Sequence, residues 1–222
     1  MTQTDRKTLF ITLLAVAVML AVIPLDLAAM QYVNAHNTCR PFFDAITDIG
    51  LAKWYEWPTG LVAVIGFILW RTKKMPEKFL PLWRASIQIF ASVAGAGLFT
   101  DVLKRLFARA RPVEFLQHGI YGFFHWHEAF GHNTYHFQSF PSGHATTMMS
   151  LGTAITLTLP EKYRWARIPV FAFTGVIAAS RIMVTAHYPS DVIAGTIIGI
   201  WGAVLVQRVM PHILGFLCRP PA

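Results

Sequence analysis

Long apolar runs, and not the short alternating patterns of a soluble fold, organise this chain. They fall at about 8–29, 54–70, 85–103, 144–160, 166–183 and 190–208. A helix needs ~20 apolar residues to cross the hydrocarbon core, so the shorter runs rely on polar ends that reach the interface. In lipid the backbone finds no water, and each run therefore reads as a helix and not as an exposed strand. The prediction is an all-α polytopic membrane protein: a six-transmembrane-helix bundle with both termini on one side. No Gly/Ser linker, low-complexity tract or internal repeat interrupts the pattern, which predicts one domain over 1–222 with its motif-bearing core at about 85–208.

Composition agrees: 55% of the 222 residues are hydrophobic and 14% charged, with a mean hydropathy of +0.47. The formal charge of +8 would suggest nucleic acid in a soluble protein. Here the bases cluster beside apolar runs, where they mark the cytoplasmic side, so no nucleic-acid partner is expected. With six spans, the N-terminus, the 71–84 and 161–167 loops and the C-terminal tail hold twelve of the nineteen Lys and Arg residues. The opposite face, which is the non-cytoplasmic one on this count, holds Arg40, Lys53, Lys104, Arg105, Arg109, Arg111 and Arg181. Cys39 and Cys218 fall on opposite sides, which excludes a mutual disulfide. Arg6 and Lys7 precede the first run as in a signal peptide, but no small-residue cleavage site follows, so that run reads as an uncleaved span.

Three polar clusters interrupt the apolar pattern at one predicted face. The first runs from Lys104 to Arg111-Pro112 at the end of the third span. Lys104 and Arg111 are seven residues apart, two helical turns, and a common helical stripe would let both face a dianionic phosphate or a lipid headgroup. Asp101, three residues before Lys104, suits a structural ion pair with Lys104 or Arg105. The second is Phe140-Pro141-Ser142-Gly143-His144. Ser142 is a natural N-cap and Gly143 allows close backbone approach, so the helix start favours an anion, while His144 is either a cap-region polar residue or a catalyst. The third spans Ser180-Arg181 to His187 and Asp191. Pro189 suits the first turn of the sixth helix and puts Asp191 where it can reach back to His187. That pair is either structural or an oriented nucleophile, with one ring nitrogen fixed by the carboxylate and the other free. The third and fifth spans end, and the fourth and sixth begin, at the same face, so the three clusters can converge, and ionisable groups there are costly enough to signal function.

These residues resemble the type 2 phosphatidic acid phosphatase superfamily, which also includes the vanadium haloperoxidases. The signature is a Lys, six residues and Arg-Pro, then Pro-Ser-Gly-His, then Ser-Arg, five residues, His, three residues and Asp. Lys104 to Arg111-Pro112, Pro141 to His144, and Ser180-Arg181 through His187 to Asp191 match every part. The resemblance implies a membrane lipid phosphatase, multi-pass in the cell (inner) membrane, with its active site facing the periplasm or exterior. It implies His187 as a nucleophile giving a phosphohistidine, Asp191 as its orienting carboxylate and His144 as proton donor to the leaving oxygen. Lys104, Arg111, Arg181, Ser142 and Gly143 would bind the phosphate, with no metal and no cofactor. The substrate class is a lipid phosphate or diphosphate, such as phosphatidic acid, phosphatidylglycerol phosphate, undecaprenyl diphosphate or lipid A. A phosphotransferase with a lipid acceptor would use the same residues, whereas an anion transporter or receptor has little use for two histidines and an aspartate at this spacing.

The 113–140 loop carries His118, His125, His127, His132 and His136 among aromatic residues. It reads as an interfacial cap that helps admit the lipid. A metal site built on His125, His127 and Glu128, or on His132 and His136, is the disfavoured alternative because the spacing is loose.

Overall fold

A computed structural model describes residues 3–125 and 134–217. Its elements are α1 (Gln3–Val22), α2 (Asp26–His36), α3 (Arg40–Thr47), α4 (Lys53–Arg71), α5 (Leu80–Phe107), α6 (Pro112–His118), α7 (Gly143–Thr158), α8 (Arg167–Met183) and α9 (Pro189–Leu217). Four helical stretches are long and apolar enough to cross a membrane: Phe10–His36, Glu77–Phe107, Glu161–Met183 and Pro189–Met210. The other two expected spans are helical as well, as α4 with 19 residues and α7 with 16.

The first stretch outruns its expected limit of residue 29. Pro24, which has no N–H to donate, sits in a short 3-10 turn at Ile23–Leu25 that joins α1 to α2 without ending the helical rod. The rod thus carries Asp26 into the protein interior, where it is fully buried.

Helix α7 is the centre of the bundle and packs against α5, α8 and α9. Small residues set the approach of α9, as between helices in lipid, where apolar burial supplies no drive to associate. A Cβ at Gly199 would stand 2.5 Å from the Thr146 carbonyl oxygen, and one at Gly195 would stand 2.4 Å from that of Ser142. Polar side chains then cross-link the helices. Gln88 donates to the Ala203 carbonyl at 3.0 Å, Ser150 to the Ser92 carbonyl at 2.9 Å, and Thr100 meets Thr146 at 3.1 Å. Val93, Met148, Leu151 and Ile177 form the apolar core between α5, α7 and α8. Outward faces stay apolar, with Leu61, Leu98, Phe99, Ile168 and Leu205 exposed, as lipid contact requires. Trp54 and Trp57 at the start of α4 are also exposed, in keeping with an interfacial anchor. Cys39 is an exposed free thiol, and Cys218 lies outside the described residues.

Candidate active site

Helices α5 and α8 stop, and α7 and α9 start, at one end of the bundle. Helix α5 ends because Ala108 takes a left-handed conformation (φ 38°, ψ 47°), and Arg109 then pairs with Phe123 in an isolated antiparallel bridge. Arg111, restricted by Pro112 behind it, has φ −76° and ψ 159° and opens α6. The common helical stripe expected for Lys104 and Arg111 is therefore absent. The helix terminates before Arg111, which is carried instead by a cradle of the 135–138 segment. Its Nε donates to the Tyr135 carbonyl at 3.0 Å and its Nη2 to the Gln138 carbonyl at 3.3 Å, with the Tyr135 ring 4.1 Å from the guanidinium. Both cations still reach the same place. Lys104, Arg111, Arg181 and His187 all lie close enough to His144 to act on it electrostatically.

Ser142 caps α7 as expected: its backbone is extended and its hydroxyl accepts from the Ala145 N–H at 3.5 Å. Gly143 matters through what it lacks. A Cβ there would stand 3.1 Å from Lys104 Nζ, so glycine lets the ammonium lie against the start of α7. In the first turn of α7, the His144 ring packs on Gly50, where a Cβ would come within 2.8 Å of a ring carbon. His144 Nε2 is buried and finds no hydrogen-bond partner among the described residues. Lys104 pairs with Asp101 at 3.4 Å, which settles the alternative between Lys104 and Arg105.

Arg181 lies in the last turn of α8 and donates through Nη1 to Thr47 Oγ1 at 2.8 Å. The chain then reverses, with Thr185 left-handed and the N–H groups of Ala186 and His187 both donating to the Arg181 carbonyl. Asp191 in the first turn of α9 faces His187 Nδ1 at 3.5 Å through Oδ2. The same oxygen accepts from the Ser139 hydroxyl at 2.6 Å and from the Tyr188 N–H at 3.0 Å. With Nδ1 turned to Asp191, Nε2 is the nitrogen left for chemistry. The Ser142 N–H donates to the Asp191 carbonyl at 3.0 Å and ties the two helix starts together. Burial pushes the His187 pKa down to about 4, with Arg111 and Arg181 adding to the shift and the Asp191 carboxylate opposing it. A neutral imidazole backed by a carboxylate, with Arg111 and Arg181 near it and Lys104 at the adjoining helix start, can receive a phosphoryl group and attack it.

All eight residues singled out in the sequence lie at this end of the bundle, and the structure adds others. Arg109, fully buried, donates to Asp191 Oδ1 at 2.5 Å, to Ser190 Oγ at 2.8 Å and to Asp26 Oδ2 at 2.7 Å. The rings of Tyr188 and Phe123 lie 4.5 and 4.8 Å from its guanidinium. Thr47 and Gly50, just before α4, close the site around Arg181 and His144. Arg109, Tyr188 and Ser190 lie within the clusters read from the sequence but had no named role there, and Asp26, Thr47, Gly50 and Phe123 lie outside those clusters. For Asp26 a signal was present, since one acid inside a long apolar segment is costly unless it has a task.

In the 113–140 loop, aromatic residues pack on the turn after α5. Phe107, Phe123 and Phe140 meet edge to face, and Phe137 and Phe124 cover Ala108 and Ala110. Glu114 binds His118 Nδ1 at 3.2 Å and His136 Nδ1 at 2.5 Å. Among the described residues no cluster of His, Cys, Asp and Glu is arranged to hold a metal. His127, Glu128 and His132 lie outside the described residues.

Residues 85–213 match the PAP2 superfamily. Over 209 residues the chain is 33% identical to a protein of Rhizobium johnstonii named lipid A 1-phosphatase, covering 92% of this chain and 80% of that one. The lipid A 1-phosphatase of Rhizobium etli is likewise 33% identical, over 92% of this chain and 84% of its own. An undecaprenyl-diphosphatase of Sulfolobus acidocaldarius is 36% identical over 71 residues, 32% of this chain and 33% of that protein. No solved structure gives a significant match.

Proposed function

The chain belongs to the PAP2 superfamily and is a membrane lipid phosphatase, and on that premise we propose that it removes phosphate from a lipid at the non-cytoplasmic face through a phosphohistidine on His187. The observation that carries this reading is His187, neutral, backed by Asp191 and within reach of Arg111 and Arg181, with Lys104 beside the neighbouring His144.

In the first step the Nε2 lone pair of His187 attacks phosphorus, and the bond from phosphorus to the lipid oxygen breaks with its electron pair on that oxygen. His144, able to hold a proton once the bound phosphate offsets the charge of Lys104, Arg111 and Arg181 around it, gives that proton to the departing oxygen and is left neutral. Lys104, Arg111 and Arg181 hold the three equatorial oxygens, with the Ser142 hydroxyl and the Gly143 amide assisting, so the charge that spreads over them meets fixed donors. Asp191 stabilises the positive charge that forms on His187. In the second step His144 takes a proton from water, which attacks phosphorus. The N–P bond breaks, neutral His187 returns and inorganic phosphate leaves.

Counting α1–α2 as one rod, α4, α5, α7, α8 and α9 complete six spans, which puts both termini opposite the site. Twelve of the nineteen bases then lie on the termini side, which makes that side cytoplasmic and the site periplasmic in an inner membrane. A cavity of about 490 Å³ between α5 and α9, lined by Gly95, Phe99, Ile197, Trp201 and Leu205 among others, supports a lipid substrate. Phe99 is five residues from Lys104 on α5 and Ile197 six from Asp191 on α9, so a chain lying there hangs below the phosphate site.

The relatives point to a glycosyl phosphate of the lipid A type as the first substrate to offer. The test is phosphate release from lipid A, phosphatidic acid, phosphatidylglycerol phosphate and undecaprenyl diphosphate in detergent, with chelator present. Fastest release from lipid A supports the assignment, whereas fastest release from another lipid reassigns the substrate. Transfer of label to a second lipid without phosphate release would replace hydrolysis by phosphotransfer.

A further inference from the structure

Resting on the reading of His187 as nucleophile, we propose that Asp26 on the first membrane helix is a positioning residue of the phosphatase site. It clamps Arg109 against Asp191 and supplies the buried network behind His187 with its excess negative charge.

Asp26, Arg109 and Asp191 are each fully buried. Arg109 spends one arm of its fork on Asp191 and Ser190 and the other on Asp26. Asp26 in turn receives the Ser190 N–H at 2.9 Å and the Ser190 hydroxyl, so its carboxylate anchors the residue next to Asp191 as well. Buried charges are retained only when paired and hydrogen-bonded, and this network satisfies both carboxylates. One cation between two anions leaves a net charge of −1 directly behind His187. Attack on phosphorus turns a neutral imidazole into a cationic phosphoimidazolium, and that is the charge the network is placed to stabilise. The two sides of the site thus have opposite signs: Lys104, Arg111 and Arg181 face the phosphate, and the Asp26–Arg109–Asp191 relay backs the ring. A guanidinium held at both ends also fixes the direction in which it presents Asp191, as a single-ended contact would not.

Asp26 lies 78 residues before Lys104 and outside the 85–213 segment that matches the family. The N-terminal rod therefore completes the site of the core, and does more than anchor it in the bilayer.

The experiment compares wild type, Asp26→Asn, Ser190→Ala and His187→Ala, purified in detergent and checked for folding by gel filtration and thermal unfolding. It measures kcat, the rate of ³²P-phosphoenzyme formation and the inhibition constant of inorganic phosphate. Folded Asp26→Asn is expected to lose about ten- to a hundredfold in kcat and in phosphoenzyme formation, with phosphate inhibition within about threefold of wild type. A kcat within about twofold of wild type, or equal losses in kcat and in phosphate binding, overturns the proposal. Should Asp26→Asn fail to fold, Ser190→Ala, which deletes a hydroxyl but no charge, decides. A lower kcat at unchanged phosphate inhibition supports the relay, and an unchanged kcat or equal losses in both overturns it. His187→Ala separates the two levels. Turnover retained there defeats the nucleophile assignment itself, whereas a dead His187→Ala beside a fully active Asp26→Asn defeats only the role of Asp26.

Discussion

On the proposed mechanism His187 can act as the nucleophile because its surroundings hold it neutral. Its pKa of about 4 lies below the ordinary ~6.5 of histidine, so as pH falls from about 6.5 towards 4 the unfolded chain takes up a proton that the folded one refuses. In that window this residue subtracts stability as acid is added, while its ring stays neutral. The ring resonances of His187 in labelled protein, assigned with His187→Gln, should keep neutral positions through pH 6 and move only as pH approaches 4. A midpoint near 6.5 would mean that burial and the two arginines do not govern the site. The residues themselves were legible because motif spacing records chemistry: His187 and Asp191 are four apart on the turn into a helix, and one faces the other at 3.5 Å. Arg109 and Asp26 were not legible as a pair. Nothing in a sequence joins positions 26 and 109 until the rod and the turn after α5 are placed side by side.

Among the elements, apolar runs foretold helices well and local geometry less well. The starts of α7 and α9 followed from Ser142 and Pro189, whose preferences act within one turn. The path from Lys104 to Arg111 did not follow, because a left-handed Ala108 pays a local strain that only the packed cluster of Ala110 and Phe137 makes worthwhile. Helix packing also leaves the α5–α9 cavity, and Gly95 offers a direct probe of it. A Cβ at Gly95 meets nothing within 4 Å, so Gly95→Leu should fill the groove without strain and gain roughly 0.8 kcal/mol of helix propensity. Its KM for a long-chain lipid phosphate should rise about tenfold while a short-chain phosphate is hydrolysed as by wild type. Equal effects on both substrates would place the lipid chain elsewhere.

At the scale of the whole molecule, one bundle end gathers almost every buried charge, and the position of that end relative to the membrane decides what the enzyme meets. On the proposed topology, the asymmetry of Lys and Arg puts that end outside. In cells carrying Cys218→Ser, the exposed Cys39 should react with a membrane-impermeant maleimide. A cysteine at Lys74 in a protein lacking Cys39 should react only after permeabilisation. The reverse pattern would invert the topology and move the reaction to the cytoplasm.

In the proposed mechanism everything turns on His187 taking up the phosphoryl group. The direct measurement is to mix purified protein with ³²P-labelled lipid phosphate in the presence of chelator, quench in alkali within milliseconds and map the label. An acid-labile, alkali-stable phosphoenzyme is expected on the peptide containing His187, absent from His187→Ala and formed as fast as turnover requires. Full phosphate release by His187→Ala would contradict that role.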